Sequence, residues 1–293
     1  MGRLFAAVVA GLIGGLNLPT ALAPPPLPYA ALGDSYTTAP GILDPAPASP
    51  PLCTRSAVNY PHLLAEAAGW ELTDVSCASA ATVHMTTAQY PYQPPQFDAL
   101  SPRTRIVTYQ AGGNDGNVFQ TMVIACSALN AGNVADVGAP CRDTLGTRFS
   151  DDIAAGEPAM GAAIRRIREL APNARVFVVG YPAVLPESGR CYPQMPLSTG
   201  DVAYARGIEQ ELNAALRRQA GANGAVYVDI YTPSIGHDAC ADPATRWVEP
   251  LVPAQPNATP VHPNAAGQQA TANVLRAVIT DTARRGQAEF DDR

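Results

Sequence analysis

Three segments, far apart in the chain, carry residue types that together could perform nucleophilic catalysis. In the first, the apolar run Tyr29-Ala30-Ala31-Leu32 reads as a buried strand and ends in Gly33-Asp34-Ser35. Ligands in an open α/β sheet bind beyond the carboxyl ends of the strands, so Ser35 is a candidate nucleophile. In the second, Gly112-Gly113-Asn114-Asp115 follows the strand-like stretch from Arg105 to Gln110. Its glycines allow close backbone approach or positive φ, and Asn114 offers an amide donor at a strand's end. In the third, His262-Pro263-Asn264 follows a Pro-rich loop and opens an Ala-rich helical stretch from Ala265 to Arg284. A general base needs a near-neutral pKa and must reach the nucleophile. His62 lies in a helix-like run, His84 in a polar loop and His237 in a loop, so of the 4 histidines His262 fits that role best. The first two segments alone also describe ordinary polar turns, and an arbitrary histidine is usually non-catalytic; the set points to nucleophilic catalysis.

In this order the segments resemble the SGNH hydrolase (GDSL esterase/lipase) superfamily, and within it the secreted, three-disulfide actinobacterial esterases and lipases. The likeness spans almost the whole chain after the N-terminal segment. It implies Ser35 as nucleophile and His262 as base, with an oxyanion hole made by the backbone N–H groups of Ser35 and Ser79 and the Asn114 amide. Three positions depart from the family pattern. Tyr36 follows the serine, where leucine is commoner. Ser79 stands at the glycine of the second block, within Asp74 to Thr82; a backbone donor there needs no glycine unless φ is positive. Thr259 stands where the family carries an Asp three residues before the histidine. The expectation is therefore a Ser-His pair whose imidazole Nδ1–H is held by a backbone carbonyl, most simply that of Thr259. Asp238, Asp242 and Glu249 remain rival partners. Asp34 and Asp115 are read as structural, tying loop backbone together.

The chain's 293 residues suffice for one α/β domain with a sizeable core. Residues 1–23 read as a signal peptide: a short basic start, an apolar run from Leu4 to Leu18, and a small-residue site with cleavage expected after Ala23. Residues 24–293 are expected to form a single domain, extracellular and monomeric, without stable membrane insertion. An even count of 6 cysteines in an exported chain favours disulfides. Spacing alone does not choose the pairing; the family resemblance implies Cys53–Cys77, Cys126–Cys141 and Cys191–Cys240. No two cysteines stand at zinc-ligand spacing, and the chemistry needs neither metal nor cofactor. The net charge is −6, and the 19 basic residues are scattered without a stripe, which argues against nucleic acid as a partner. The 29 prolines gather in loops, where they stiffen long connections.

Hydrophobic periodicity gives strands near 29–34, 71–77, 105–111, 174–180 and 225–230. Helices are expected near 57–68, 118–129, 151–170, 200–220 and 264–284. Alternating strands and helices imply an α/β fold with a parallel sheet covered on both faces, and the resemblance implies a flavodoxin-like layout of five strands. The long loops 36–56, 84–103, 183–199 and 232–261 should frame a pocket. Tyr36, Tyr90, Tyr92, Phe97, Tyr192, Trp247 and Leu251 are candidates to line an acyl site. The reading is a small-molecule or lipid ester hydrolase. Alternatives are a carbohydrate O-acyl esterase, with Trp247 stacking on a sugar, or a binding protein on a degenerate site.

Overall fold

A computed structural model describes residues 25–256 and 258–291. The segment assigned to export lies outside the described residues. Five strands form one parallel sheet in the order β2-β1-β3-β4-β5. They are β1 (Pro28–Gly33), β2 (Glu71–Asp74), β3 (Ile106–Gln110), β4 (Arg175–Val179) and β5 (Val226–Val228). β3 is buried throughout, and β1 and β4 are buried beyond their first residues. Such continuous apolar runs suit strands with both faces covered. The side chains still alternate. Ala30, Leu32, Val107, Tyr109, Val176 and Val178 face one core, while Tyr29, Ala31, Ile106, Phe177 and Val179 face another.

Eight helices flank the sheet among the described residues: α1 (Ser35–Thr38), α2 (Tyr60–Ala68), α3 (Val118–Leu129), α4 (Pro140–Leu145), α5 (Arg148–Leu170), α6 (Thr199–Ala222), α7 (Tyr231–Ser234) and α8 (Ala265–Asp291). α5 and α6 pack on the first face through Ile153, Ile164, Ile167, Leu212 and Leu216. α2 and α8 pack on the second through Leu64, Leu275 and Ile279. Local chemistry sets the boundaries. Asn59 caps α2 by accepting the His62 N–H, and Gly69 ends it at φ 67°. Ser198 caps α6 through the Asp201 N–H. Strand β2 stops at Asp74, short of the expected 77, because the Asp74 carboxylate takes the Ser76 N–H at 2.9 Å and its hydroxyl at 2.6 Å. The chain still runs beside β1, where Val75 and Cys77 donate to Ala31 and Gly33.

Strand order reverses between β1 and β3, the position where open α/β sheets of this order bind ligands. The register pairs Gly33 with Gln110, so β1 and β3 end level with each other. The segments carrying Ser35 and Asn114 therefore emerge side by side. The three disulfides join Cys53 to Cys77, Cys126 to Cys141 and Cys191 to Cys240. Respectively they tie the loop after α1 to the segment before Ser79, α3 to α4, and the loop after β4 to the loop before His262. Among the described residues no helix is long and apolar enough to cross a membrane.

Candidate active site

Ser35 is the first residue of α1, two residues beyond the end of β1. Gly33 makes that turn possible, since a Cβ there would run into the Thr37 side chain and the Gln110 carbonyl. Gln96 clamps Gly33 from both sides, accepting its N–H at 2.8 Å and donating to its carbonyl at 2.9 Å. Asp34 is buried and accepts from the Tyr36 N–H at 2.9 Å and the Tyr181 hydroxyl at 2.5 Å. The Gly113 N–H in turn donates to that hydroxyl at 3.1 Å, which links the β1 end to the β3 end. Burial pushes the Asp34 carboxyl up to about 7, against the pull of its two donors. All of its contacts are scaffold contacts.

His262 Nε2 lies 2.9 Å from the Ser35 Oγ. Its Nδ1 lies 2.8 Å from the Pro260 carbonyl, not the Thr259 carbonyl expected from the sequence. The correction has a plain cause. Residues 259–262 form a turn in which the Thr259 carbonyl is taken by the His262 backbone N–H at 3.2 Å. Proline at the second position and positive φ at the third (Val261, 61°) are the marks of a type II turn. A carbonyl can only accept, so Nδ1 carries the hydrogen and Nε2 is left bare toward the serine. The rival carboxylates are engaged elsewhere: Asp238 with the Cys240 N–H, Asp242 with the Ala244 N–H, and Glu249 with Asn264 and Arg246. Burial holds the His262 imidazole below its ordinary pKa, only partly offset by the Pro260 carbonyl. It is therefore neutral at neutral pH.

Val261 is β-branched, buried and left-handed, a backbone state such residues avoid. Three bonds hold this stretch. The Val261 N–H donates to the Glu249 carbonyl at 3.0 Å, the Tyr36 hydroxyl donates to the Val261 carbonyl at 2.8 Å, and the Glu249 N–H donates to the His262 carbonyl at 3.0 Å. The Tyr36 ring also lies 5.1 Å from the imidazole. The departure at position 36 thus supports the histidine loop.

Ser79 lies across the cleft. Its φ is 62°, so this position does take the backbone state that the family's glycine would supply. The Ala78 and Ala80 N–H groups bond to the Cys53 and Cys77 carbonyls on either side of it. The N–H groups of Ser35 and Ser79 meet no acceptor among the described residues. Asn114 donates through Nδ2 to the Ala80 carbonyl at 3.1 Å, which leaves its second amide hydrogen uncommitted. Both oxygens of Asp115 are taken by the Thr82 N–H and hydroxyl, each at 2.7 Å. That fixes the Ser79 loop against the Asn114 loop. Among the described residues no cluster of three His, Cys, Asp or Glu could hold a metal ion.

Ser35, Ser79, Asn114 and His262 all line one cleft of about 380 Å³. Its remaining wall is largely apolar: Phe119, Val123 and Ile124 from α3, with Leu251 and Val261 opposite. No carboxylate or guanidinium lines it. Of the loop residues suggested for an acyl site, Leu251 alone lines it. Tyr36 supports the histidine loop from beneath, Tyr90 stacks on Tyr92, Phe97 is in the core, and Tyr192 sits under Arg190. Trp247 stacks on His237 with centroids 4.3 Å apart and planes at 6°, and lines no part of the cleft, which corrects its assignment to a sugar. The α3 wall was missed. Its signal was present in a segment whose apolar residues extend well beyond one face: Val118, Met122 and Cys126 are buried, Phe119 and Val123 are half-buried at the edge of the core, and Ile124 is exposed.

The sequence pattern of the GDSL-like Lipase/Acylhydrolase family matches residues 31–270. The chain is 46% identical over 255 residues to Lipase 2 of Streptomyces coelicolor, covering 85% of this chain and 84% of that one. Among solved structures it is similar to phospholipase A1 from Streptomyces albidoflavus, with a TM-score of 0.72 at 26% identity, covering 86% of this chain and 99% of that one. The extracellular lipase of Streptomyces rimosus shares the fold, with a TM-score of 0.69 at 24% identity, covering 86% of this chain and 99% of that one.

Proposed function

The chain belongs to the GDSL-like lipase/acylhydrolase family of ester hydrolases, and from that premise we propose that it cleaves uncharged carboxylic esters by a Ser35–His262 mechanism without a carboxylate. The observation that supports this most directly is the relay from Ser35 Oγ through His262 to the Pro260 carbonyl, at 2.9 and 2.8 Å. Ser35 attacks the ester carbonyl while Nε2 takes its proton. The Pro260 carbonyl holds the tautomer and gives the imidazolium less stabilisation than a carboxylate would. The oxyanion is received by the Ser35 and Ser79 N–H groups and the Asn114 amide; such a donor is typically worth about 3–4 kcal/mol in the transition state. His262 returns the proton to the leaving alcohol, then activates the water that releases the acyl group. The uncharged lining suits an acyl chain and offers nothing to an anionic one. Three disulfides and the signal-like segment support an exported enzyme. The glycan-esterase reading loses its main residue with Trp247.

The test is hydrolysis of nitrophenyl esters from acetate to palmitate, together with labelling by a fluorophosphonate. Ser35→Ala and His262→Ala should each lower kcat by about 10⁴-fold or more, and Ser35→Ala should abolish labelling. Turnover that survives Ser35→Ala would sink the assignment. A folded, oxidised protein that neither turns over nor labels would return the degenerate binding reading.

A further inference from the structure

Two small apolar voids lie behind the cleft. One, about 30 Å³, is bounded by Tyr36, Met122, Tyr181, Val184 and Leu212 among others. The other, about 20 Å³, is bounded by Met122, Val184, Leu185, Met195 and Val261 among others. Each has room for about one water, and walls this apolar favour a dry state. Phe119 borders the cleft and both voids, and no other residue borders all three. Val184, Met122 and Glu209 border both voids but not the cleft. Phe119 alone stands between the cleft and the first void, and it shares the boundary with the second void with Val123 and Val261.

We propose that Phe119 is a gate to an inner acyl site: the ring turns aside and the far end of a longer acyl chain enters the space bounded by Met122, Val184 and Leu212. This rests on the ester-hydrolase reading above. The occupant is the acyl chain because the inner space adjoins the cleft that holds Ser35 across the Phe119 ring, and its walls are almost wholly hydrocarbon. The methionines there are unbranched and adapt to an entering chain. The exception in the lining is Glu209, whose carboxyl is pushed up to about 8 by burial and is therefore uncharged at neutral pH. Short acyl groups are served by the cleft alone.

The experiment measures kcat/KM for nitrophenyl decanoate and nitrophenyl acetate and reads their ratio. Phe119→Ala removes the partition and should raise the decanoate-to-acetate ratio at least about tenfold, since several methylenes gain contacts. Val184→Phe fills both voids and should lower the ratio by a similar factor. Phe119→Leu and Val184→Ile make the same comparison with smaller volume changes if either larger substitution fails to fold. A ratio unmoved by every variant overturns the gate and leaves ester hydrolysis standing. A ratio raised at position 119 but unmoved at 184 also overturns it, because the chain would then lie in a widened cleft. A native protein that turns over neither ester removes the underlying reading, and the gate with it.

Discussion

Ser35 sits two residues beyond a central strand, whereas His262 sits in a loop far beyond the last strand, and the two are held by different physics. On the serine side, regular backbone does the positioning. β1 and β3 end in register, and Gln96, Gln110 and Asp34 lock the turn with bonds into neighbouring strands and loops. On the histidine side no strand is available. A strained Val261 is pinned by Tyr36 and by the Glu249 backbone, and the Glu249 carboxylate is itself buried against Arg246 at 2.6 Å. A sheet-borne residue can lose a neighbour and keep its place. A loop-borne residue depends on each tie.

The strongest way to break this comparison is to damage one tie on each side. Glu249→Ala leaves Arg246 buried without its partner, and losing one member of a buried pair typically costs about 3–5 kcal/mol. Thermal unfolding should shift down by many degrees, with kcat falling as His262 loses its support. Asn114→Ala, on the sheet-borne side, should lower kcat by about 10²–10³-fold with a much smaller change in Tm, because it removes the proposed oxyanion donor and, as a brace, one hydrogen bond to the Ala80 carbonyl. Equal Tm losses in both variants would erase the distinction.

Tyr36→Phe is a finer cut. It keeps the ring against the imidazole but leaves the Val261 carbonyl without its donor, a change typically worth about 1–3 kcal/mol. The expected outcome is a modest fall in Tm and a fall in kcat of about tenfold, with KM nearly unchanged. A change confined to KM would mean that Tyr36 shapes the cleft and does not place the histidine.

The same asymmetry governed what could be read from the sequence. The central strands were legible because both their faces are covered, so they appear as continuous apolar runs. Ser35 and Asn114 were legible because they follow such runs. The ends of elements were less so: β2 is cut short by the Asp74 side chain, and α4 sits unannounced before α5. His262 was singled out by its place at the start of a helix-like stretch, and the family order of motifs supported the choice. Its orienting partner was placed one residue early because a turn's use of the Thr259 carbonyl follows from dihedral angles that the letters Thr-Pro-Val-His do not announce. Phe119 and Val123 escaped notice because a helix this rich in apolar residues reads as core, and only the packed structure shows which of them border the cleft.

A pH profile separates a carbonyl-held histidine from a carboxylate-held one. Catalysis needs the neutral imidazole, so kcat/KM should rise as pH increases through the His262 pKa and then level off. Burial lowers that pKa and no carboxylate raises it, so the inflection should lie below the ordinary ~6.5 and the rate should be flat at neutral pH. An inflection above 7 would point to a carboxylate at Nδ1 and contradict the Pro260 contact.

The smallest expected effect is at Ser79, where serine-side positioning relies on an awkward residue. A left-handed φ at a non-glycine costs about 1–2 kcal/mol, while glycine costs about 0.5–1 kcal/mol in backbone freedom. Ser79→Gly should therefore change stability by less than about 1 kcal/mol, in the stabilising direction. The backbone N–H is retained in Ser79→Gly and in Ser79→Ala, so both should keep kcat within about twofold if the amide is the oxyanion donor. The Ser79 side chain is exposed and makes no hydrogen bond among the described residues, so the scaffold gives it no other task. A tenfold loss in both variants would mean that the hydroxyl, not the amide, faces the substrate, and that serine stands here for its side chain despite the strain.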